Sequence, residues 1–255
     1  MDGDPRSALA SLAEEVRAAD RAVALTGAGV SAASGIPTFR GDDGVWGDQF
    51  DPAAFHVDRS RRDPAGFWSD RLELHETMYA ADPEPNDAHR ALARLEREGS
   101  LDAVVTQNTD GLHARAGSTT VELHGNARRV VCTGCGETVD AAPVRERTRS
   151  GELPPRCGAC DGPLKPDVVL FGERLPPAAF AEAREFAREA DVVLAVGSSL
   201  TVEPAASLAT AGDGTLAVVN FDPTPYDDRA EYVFREDLTD VLPELLARVG
   251  TAEDG

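Results

Sequence analysis

His124 and four cysteines, Cys132, Cys135, Cys157 and Cys160, concentrate the reactive side chains of this sequence into a short stretch. The cysteines form two C-x-x-C pairs separated by 21 residues, 136–156. Each such turn presents two thiolates to one ion, and two turns complete a tetrahedral four-sulfur site. Gly134, Gly136, Gly158 and Gly162 flank the pairs and suit tight turns. Structural zinc is the leading reading; a redox disulfide pair or plain buried thiols are the alternatives. Four thiolates leave no coordination position for water, so this metal is expected to hold structure and not to activate a nucleophile. His124, in Glu122-Leu123-His124-Gly125-Asn126, stands beside this module, and an imidazole, whose free form titrates near neutrality, is a side chain suited to proton transfer. His56, His75, His89 and His113 read as satisfied polar residues.

A second group able to do chemistry is Gly27-Ala28-Gly29-Val30-Ser31, which follows the apolar run 22–26. Backbone amides in such a loop can cradle a pyrophosphate. Taken alone the signal is weak: Ala32 replaces the third glycine of the dinucleotide fingerprint, and the P-loop Gly-Lys-Ser/Thr is missing.

The elements that position these groups follow from periodicity. Helices are expected over 7–19, 67–80, 86–98, 177–189 and 238–249, and strands over 22–26, 102–106, 119–123, 191–196, 216–219 and 232–234. Residues 168–171 form another extended run, and 41–64 reads as a long irregular loop. Short, almost wholly apolar strands alternating with helices predict a parallel sheet covered on both faces. Polar residues gather just after the strand ends: Thr26, Gln107, Asn108, His124, Gly197, Ser198 and Asn220. Ligands bind at that end of open α/β sheets. Gly197-Ser198-Ser199 could equally be an ordinary helix cap.

A chain of 255 residues with 42% hydrophobic content can bury one large domain with a smaller insertion. No apolar run approaches the roughly 20 residues needed to span a bilayer. Met1-Asp2-Gly3-Asp4-Pro5 lacks a basic leader segment, so a cytoplasmic protein is expected. Asp and Glu total 45 against 25 Lys and Arg, a net charge of −20, and Lys165 is the only lysine. This acidity reads as adaptation to high salt, where the Debye length shrinks to about 3 Å at 1 M and tolerates self-repulsion. The melting temperature is therefore expected to fall as salt is withdrawn; equal melting in molar and low salt would refute the reading. Such a surface repels phosphates, so direct nucleic-acid binding is not expected.

The longer motifs are far more specific. The run from Gly27 through Ser31-Ala32-Ala33-Ser34-Gly35-Ile36-Pro37-Thr38-Phe39-Arg40 to Gly41 resembles the signature of the sirtuin family, the NAD-dependent protein-lysine deacylases. The resemblance continues through Thr106-Gln107-Asn108-Thr109-Asp110-Gly111-Leu112-His113 and Leu123-His124-Gly125-Asn126, then the cysteine pairs. Lys165-Pro166-Asp167-Val168-Val169-Leu170-Phe171-Gly172-Glu173, Gly197-Ser198-Ser199-Leu200 and Asn220-Phe221-Asp222 follow in family order. It implies a Rossmann-like α/β domain (1–41, 86–126 and 165–255), a cofactor loop with a helical lid segment (42–85) and a smaller inserted zinc-binding module (127–164).

The resemblance also implies the chemistry. An acyl-lysine protein and NAD react to give free lysine, nicotinamide and O-acyl-ADP-ribose, with His124 as the base acting on a ribose hydroxyl. Asn108 and Asp110 would hold the nicotinamide ribose and carboxamide, with Gln107 beside them. Gly27, Ala28, Gly29, Ser31, Thr38, Phe39, Arg40, Gly197, Ser198, Ser199, Asn220 and Leu238 complete the NAD contacts. Phe39 would cover the reacting face. Val168, Phe171, Gly172 and Glu173 would pair the substrate peptide as an added strand. Thr38 stands where many deacetylases carry aspartate, and Thr109 where isoleucine is common. A desuccinylase-like branch has Tyr-x-x-Arg on the helix after the lid; here Trp68 replaces the tyrosine, and Arg71 offers a grip for an acidic acyl group or is simply a solvated arginine. Mono-ADP-ribosyl transfer at the same NAD site is a rival, and so is a zinc-ribbon module on an inactive NAD fold. A dehydrogenase is disfavoured by the incomplete glycine fingerprint.

Overall fold

The computed structural model describes residues 4–39, 44–47, 49–80 and 82–250. Six strands form a parallel sheet: β1 (Ala22–Thr26), β2 (Ala103–Thr106), β3 (Thr120–Glu122), β7 (Val192–Val196), β8 (Thr215–Val219) and β9 (Tyr232–Phe234), in the order β3-β2-β1-β7-β8-β9. Chain order reverses between β1 and β7, which is the topological switch of a doubly wound sheet. The apolar strands serve two faces at once. In β1, Ala22 and Ala24 pack in one core with helices α1 (Pro5–Ala18), α5 (Asp87–Arg97) and α9 (Leu238–Gly250). Val23 and Leu25 enter the opposite core with α8 (Pro177–Glu189). Small alanines on the first face let α5 and α9 lie close to the sheet.

Between β3 and β7 the chain builds a separate three-stranded antiparallel sheet, β5-β4-β6, from β4 (Gly125–Cys132), β5 (Thr138–Asp140) and β6 (Leu164–Val168). Pro166 sits in β6, an edge strand, where the missing donor is tolerated. Helix α7 (Ala141–Arg149) covers this module, with Asp140 accepting the Ala142 N–H at 2.7 Å as its cap. Helices α3 (Val57–Arg62) and α4 (Pro64–Met78) pack against it, and the Trp68 indole donates to Leu164 O at 3.1 Å. Two very short helices complete the set, α2 (Gly29–Ala32) after β1 and α6 (Leu112–Ala116) after β2.

The expected elements stand within a few residues of their observed bounds, with two corrections. The run 41–64 is not a bare loop: a 3-10 turn (Pro52–Phe55) capped by Asp51 leads directly into α3, which His56 caps. The extended run at 168–171 is the end of β6 and an isolated bridge between Phe171 and His56. Among the described residues, no helix is long and apolar enough to cross a membrane.

Candidate active site and metal centre

The strand ends at the switch point open onto a cleft of about 1140 Å³. Its floor is made where two glycine turns touch. Gly29 N donates to Gly197 O at 2.8 Å, and a Cβ at Gly197, whose φ is +59°, would lie 2.3 Å from Val30 N. Only glycine allows β1 and β7 to end this close together. Gly197→Ala is expected to destabilise the fold by about 1–3 kcal/mol and to raise KM for NAD more than KM for peptide; melting and steady-state kinetics check both.

Asn108 and His124 line this cleft from the ends of β2 and β3. Asn108 is 6% exposed, and its amide nitrogen donates to Gly27 O at 2.9 Å and Ser31 Oγ at 3.2 Å. That fixes the amide and leaves its oxygen as the acceptor. The His124 ring meets Gln107 O at 3.1 Å through Nδ1. A carbonyl only accepts, so Nδ1 carries the proton and Nε2 is the acceptor nitrogen. Gly27, Ala28, Gly29, Thr38, Phe39, Gln107, Gly197, Ser198, Ser199, Asn220 and Leu238 all line the same cleft. Gln107 donates to Ser198 Oγ at 3.2 Å, tying the two sides of the switch together.

Ser31 and Asp110 lie behind the wall instead. They are 1% and 7% exposed, and Ser31 donates to Asp110 Oδ2 at 2.8 Å. Asp110 Oδ1 also accepts the Leu112 N–H at 2.8 Å. Burial pushes the Asp110 carboxyl up despite these bonds. The two residues brace Asn108 from below. Arg40 lies outside the described residues.

Val168, Phe171, Gly172, Glu173 and Arg71 reach the cleft, whereas Trp68 does not. Trp68 is 3% exposed in the packing between α4 and the zinc module, where its indole nitrogen must find a partner and takes Leu164 O. The position where the desuccinylase-like branch carries tyrosine thus faces the packing of the module and not the cleft lining. Glu173 is occupied internally: its carboxylate accepts the Leu170 N–H and lies 2.9 Å from Lys165 Nζ. Lys165 also donates to Val168 O at 2.7 Å, so one cation closes the whole 168–173 turn.

Sequence reasoning missed the aromatic nest. Trp46 stacks on Phe39 with centroids 5.6 Å apart and meets Phe55 at 5.2 Å and Phe171 at 5.5 Å. Trp46 and Phe55 sat in the stretch expected to be irregular, and isolated aromatics in a glycine-rich loop were the available signal. Val202, Glu203 and Pro204 also line the cleft without having been singled out.

The sulfurs of Cys132, Cys135, Cys157 and Cys160 all lie within 4.8 Å of one another, with Cys132–Cys160 at 3.5 Å and Cys135–Cys157 at 3.8 Å. A tetrahedron with Zn–S bonds of about 2.3 Å has edges of about 3.8 Å. The four cysteines are therefore positioned to bind one structural zinc, and Gly134 N and Cys135 N already point at Cys132 Sγ. The strand β4 separates His124 from Cys132 by roughly 25 Å of extended chain. The metal position and the imidazole belong to different sites.

The Sir2 family model matches residues 27–204. The NAD-dependent protein deacetylase of Haloarcula marismortui is 56% identical over 255 residues, covering 98% of this chain and 96% of that protein. A solved Sir2 histidine-to-alanine variant with a deacetylated p53 peptide and 3'-O-acetyl ADP ribose superposes with a TM-score of 0.85 at 33% identity, covering 95% of this chain and 98% of that one. A Sir2–p53 peptide–NAD+ complex gives 0.82 at 34% identity, with the same coverage.

Proposed function

The chain belongs to the Sir2 family, and from that premise we propose that it is an NAD-dependent protein deacetylase working through His124. The observation that carries the reading is the shared cleft: His124, its Nδ1 held on Gln107 O, lines it together with the fixed Asn108.

NAD supplies the ADP-ribose acceptor and the nicotinamide leaving group. The turns at the ends of β1 and β7 would lie against its phosphates, the Gly27, Gly29 and Gly197 N–H groups being taken by the Val196, Gly197 and Val219 carbonyls, and Ser198, Asn220 and Leu238 would hold its adenosine end. The oxygen of Asn108 would accept from a ribose hydroxyl and orient it. The acyl-lysine carbonyl oxygen would displace nicotinamide from the ribose; His124 would then take the proton from a ribose hydroxyl as that oxygen adds to the acyl carbon, and water would complete the release of the lysine amine and O-acyl-ADP-ribose. Phe39, stacked on Trp46, would exclude water from the reacting face until the lysine is freed. Zinc would hold the small module and make no contact with the reaction.

An acyl-lysine protein would lie across the run from Val168 to Glu173. The N–H groups of Val169, Leu170, Phe171 and Glu173 are already used inside the protein. An added strand would take its bonds from the remaining backbone groups of this run.

Incubation of an acetyl-lysine peptide with nicotinamide-labelled and adenine-labelled NAD in molar salt is the test. Free nicotinamide and O-acetyl-ADP-ribose in equal amounts are expected. Adenine label transferred to protein, with the acetyl group left on the peptide, would replace deacetylation by ADP-ribosyl transfer. Succinyl-lysine in the same assay, with Arg71→Ala as control, tests whether Arg71 touches the acyl group.

A further inference from the structure

The seam between α4 and the zinc module holds a second and far smaller pocket, of about 20 Å³. Arg71 and His75 wall it from α4, Arg129 from β4, and Arg145 and Thr148 from α7, among mostly apolar neighbours. Three arginines meet here in a chain whose net charge is −20. Two other guanidiniums of the seam are matched. Arg129 lies 2.6 Å from Glu122 and 2.7 Å from Asp167, and Arg149 lies 2.9 Å from Glu76 and 2.6 Å from Glu146.

Arg71 and Arg145 form no ion pair with a carboxylate among the described residues; Arg145 donates to the Ala127 carbonyl at 3.4 Å. Asp140 acts on Arg145 from a distance, its own oxygen being engaged in capping α7. Burial lowers the pKa of both guanidiniums, and Arg145 lowers that of Arg71 further. His75 is pushed down to about 3, first by burial and then by Arg145, Arg71, Arg149 and Arg128. It is therefore neutral and has one N–H to give. Two partly buried positive charges close enough to act on each other are costly unless a negative charge joins them.

The pocket is small, and about 20 Å³ suits a small inorganic ion better than an acyl chain. We propose that this cavity is a binding site for a single monatomic anion, a halide such as chloride, held between Arg71 and Arg145 where α4 meets the zinc module. The ion would fasten the module to α4 alongside the Trp68–Leu164 bond. Because Arg71 also lines the large cleft, occupancy would hold that side chain back from it. The inference does not depend on which reaction the cleft performs.

Two measurements test it. In wild-type crystals soaked in sodium bromide, an anomalous bromine peak is expected between the two guanidiniums. In solution, chloride is replaced stepwise by gluconate at constant ionic strength. The wild-type melting temperature is expected to fall along a saturable curve, and that of Arg145→Met to show no such chloride dependence. Water alone in the cavity of the bromide crystals would overturn the site. So would an Arg145→Met protein with the full chloride response of wild type. Should that variant fail to fold, the diffraction experiment on the wild type still decides.

Discussion

His124→Ala is expected to lower deacetylation kcat by about 10²–10⁴-fold, the usual contribution of a positioned general base. The fold should survive. The backbone of His124 keeps its role, since its carbonyl accepts the Val169 N–H at 2.9 Å whatever the side chain. The strand leading to the cysteines is untouched, so zinc content should remain one per chain, and the melting temperature should move by only a few degrees. NAD binding should persist, because the glycine turns and Asn108 are independent of the ring. His124→Asn is the sharper control: it keeps a donor for Gln107 O but has no basic nitrogen. Wild-type turnover in either variant would remove His124 from the mechanism.

Zinc removal should have the second large effect, and through a different quantity. Cys132 and Cys157 are 1% and 6% exposed and belong to the same packed cluster as Val130, Ala141, Val144, Leu164 and Trp68. A module of this size cannot bury enough surface to hold itself together without a staple. Structural zinc contributes about 10–16 kcal/mol in small zinc-finger peptides. Cys157→Ser, or exhaustive chelation, is therefore expected to release the metal and to lower the melting temperature by roughly 10 °C or more. Peptide KM should rise with it, because β6 runs from the module into the 168–173 turn. Retention of both melting temperature and peptide turnover after verified loss of zinc would show that the module stands without the ion.

The sheet was legible because its strands are short, apolar and buried on both faces, a pattern few other elements share. The strand from 192 to 196 and the one from 215 to 219 lie within one residue of expectation. The short helices were not legible for a physical reason. The helix Leu112–Ala116 spans little more than a turn between left-handed Gly111 and Gly117, and Ala141–Arg149 spans nine residues, four of them charged. Neither is long enough for a 3.6-residue period to emerge. At the site, motif order placed Asn108, His124 and the glycine turns correctly in one cleft. It did not reveal how deeply each residue lies: Ser31, Asp110 and Trp68 are each buried against a partner that sequence spacing does not show.

The turn closed by Lys165 has a consequence for how this protein ages among reactive acyl donors. Acyl phosphates and thioesters modify proteins wherever they meet an unprotonated, accessible amine. Here the single side-chain amine is held between the Val168 carbonyl and the Glu173 carboxylate. The pairing holds that amine against two oxygens of its own turn, and arginine carries the other basic positions. A catalyst that clears acyl groups from its neighbours would thus accumulate almost none itself, and its own activity would not drift with the load of modification it is there to remove.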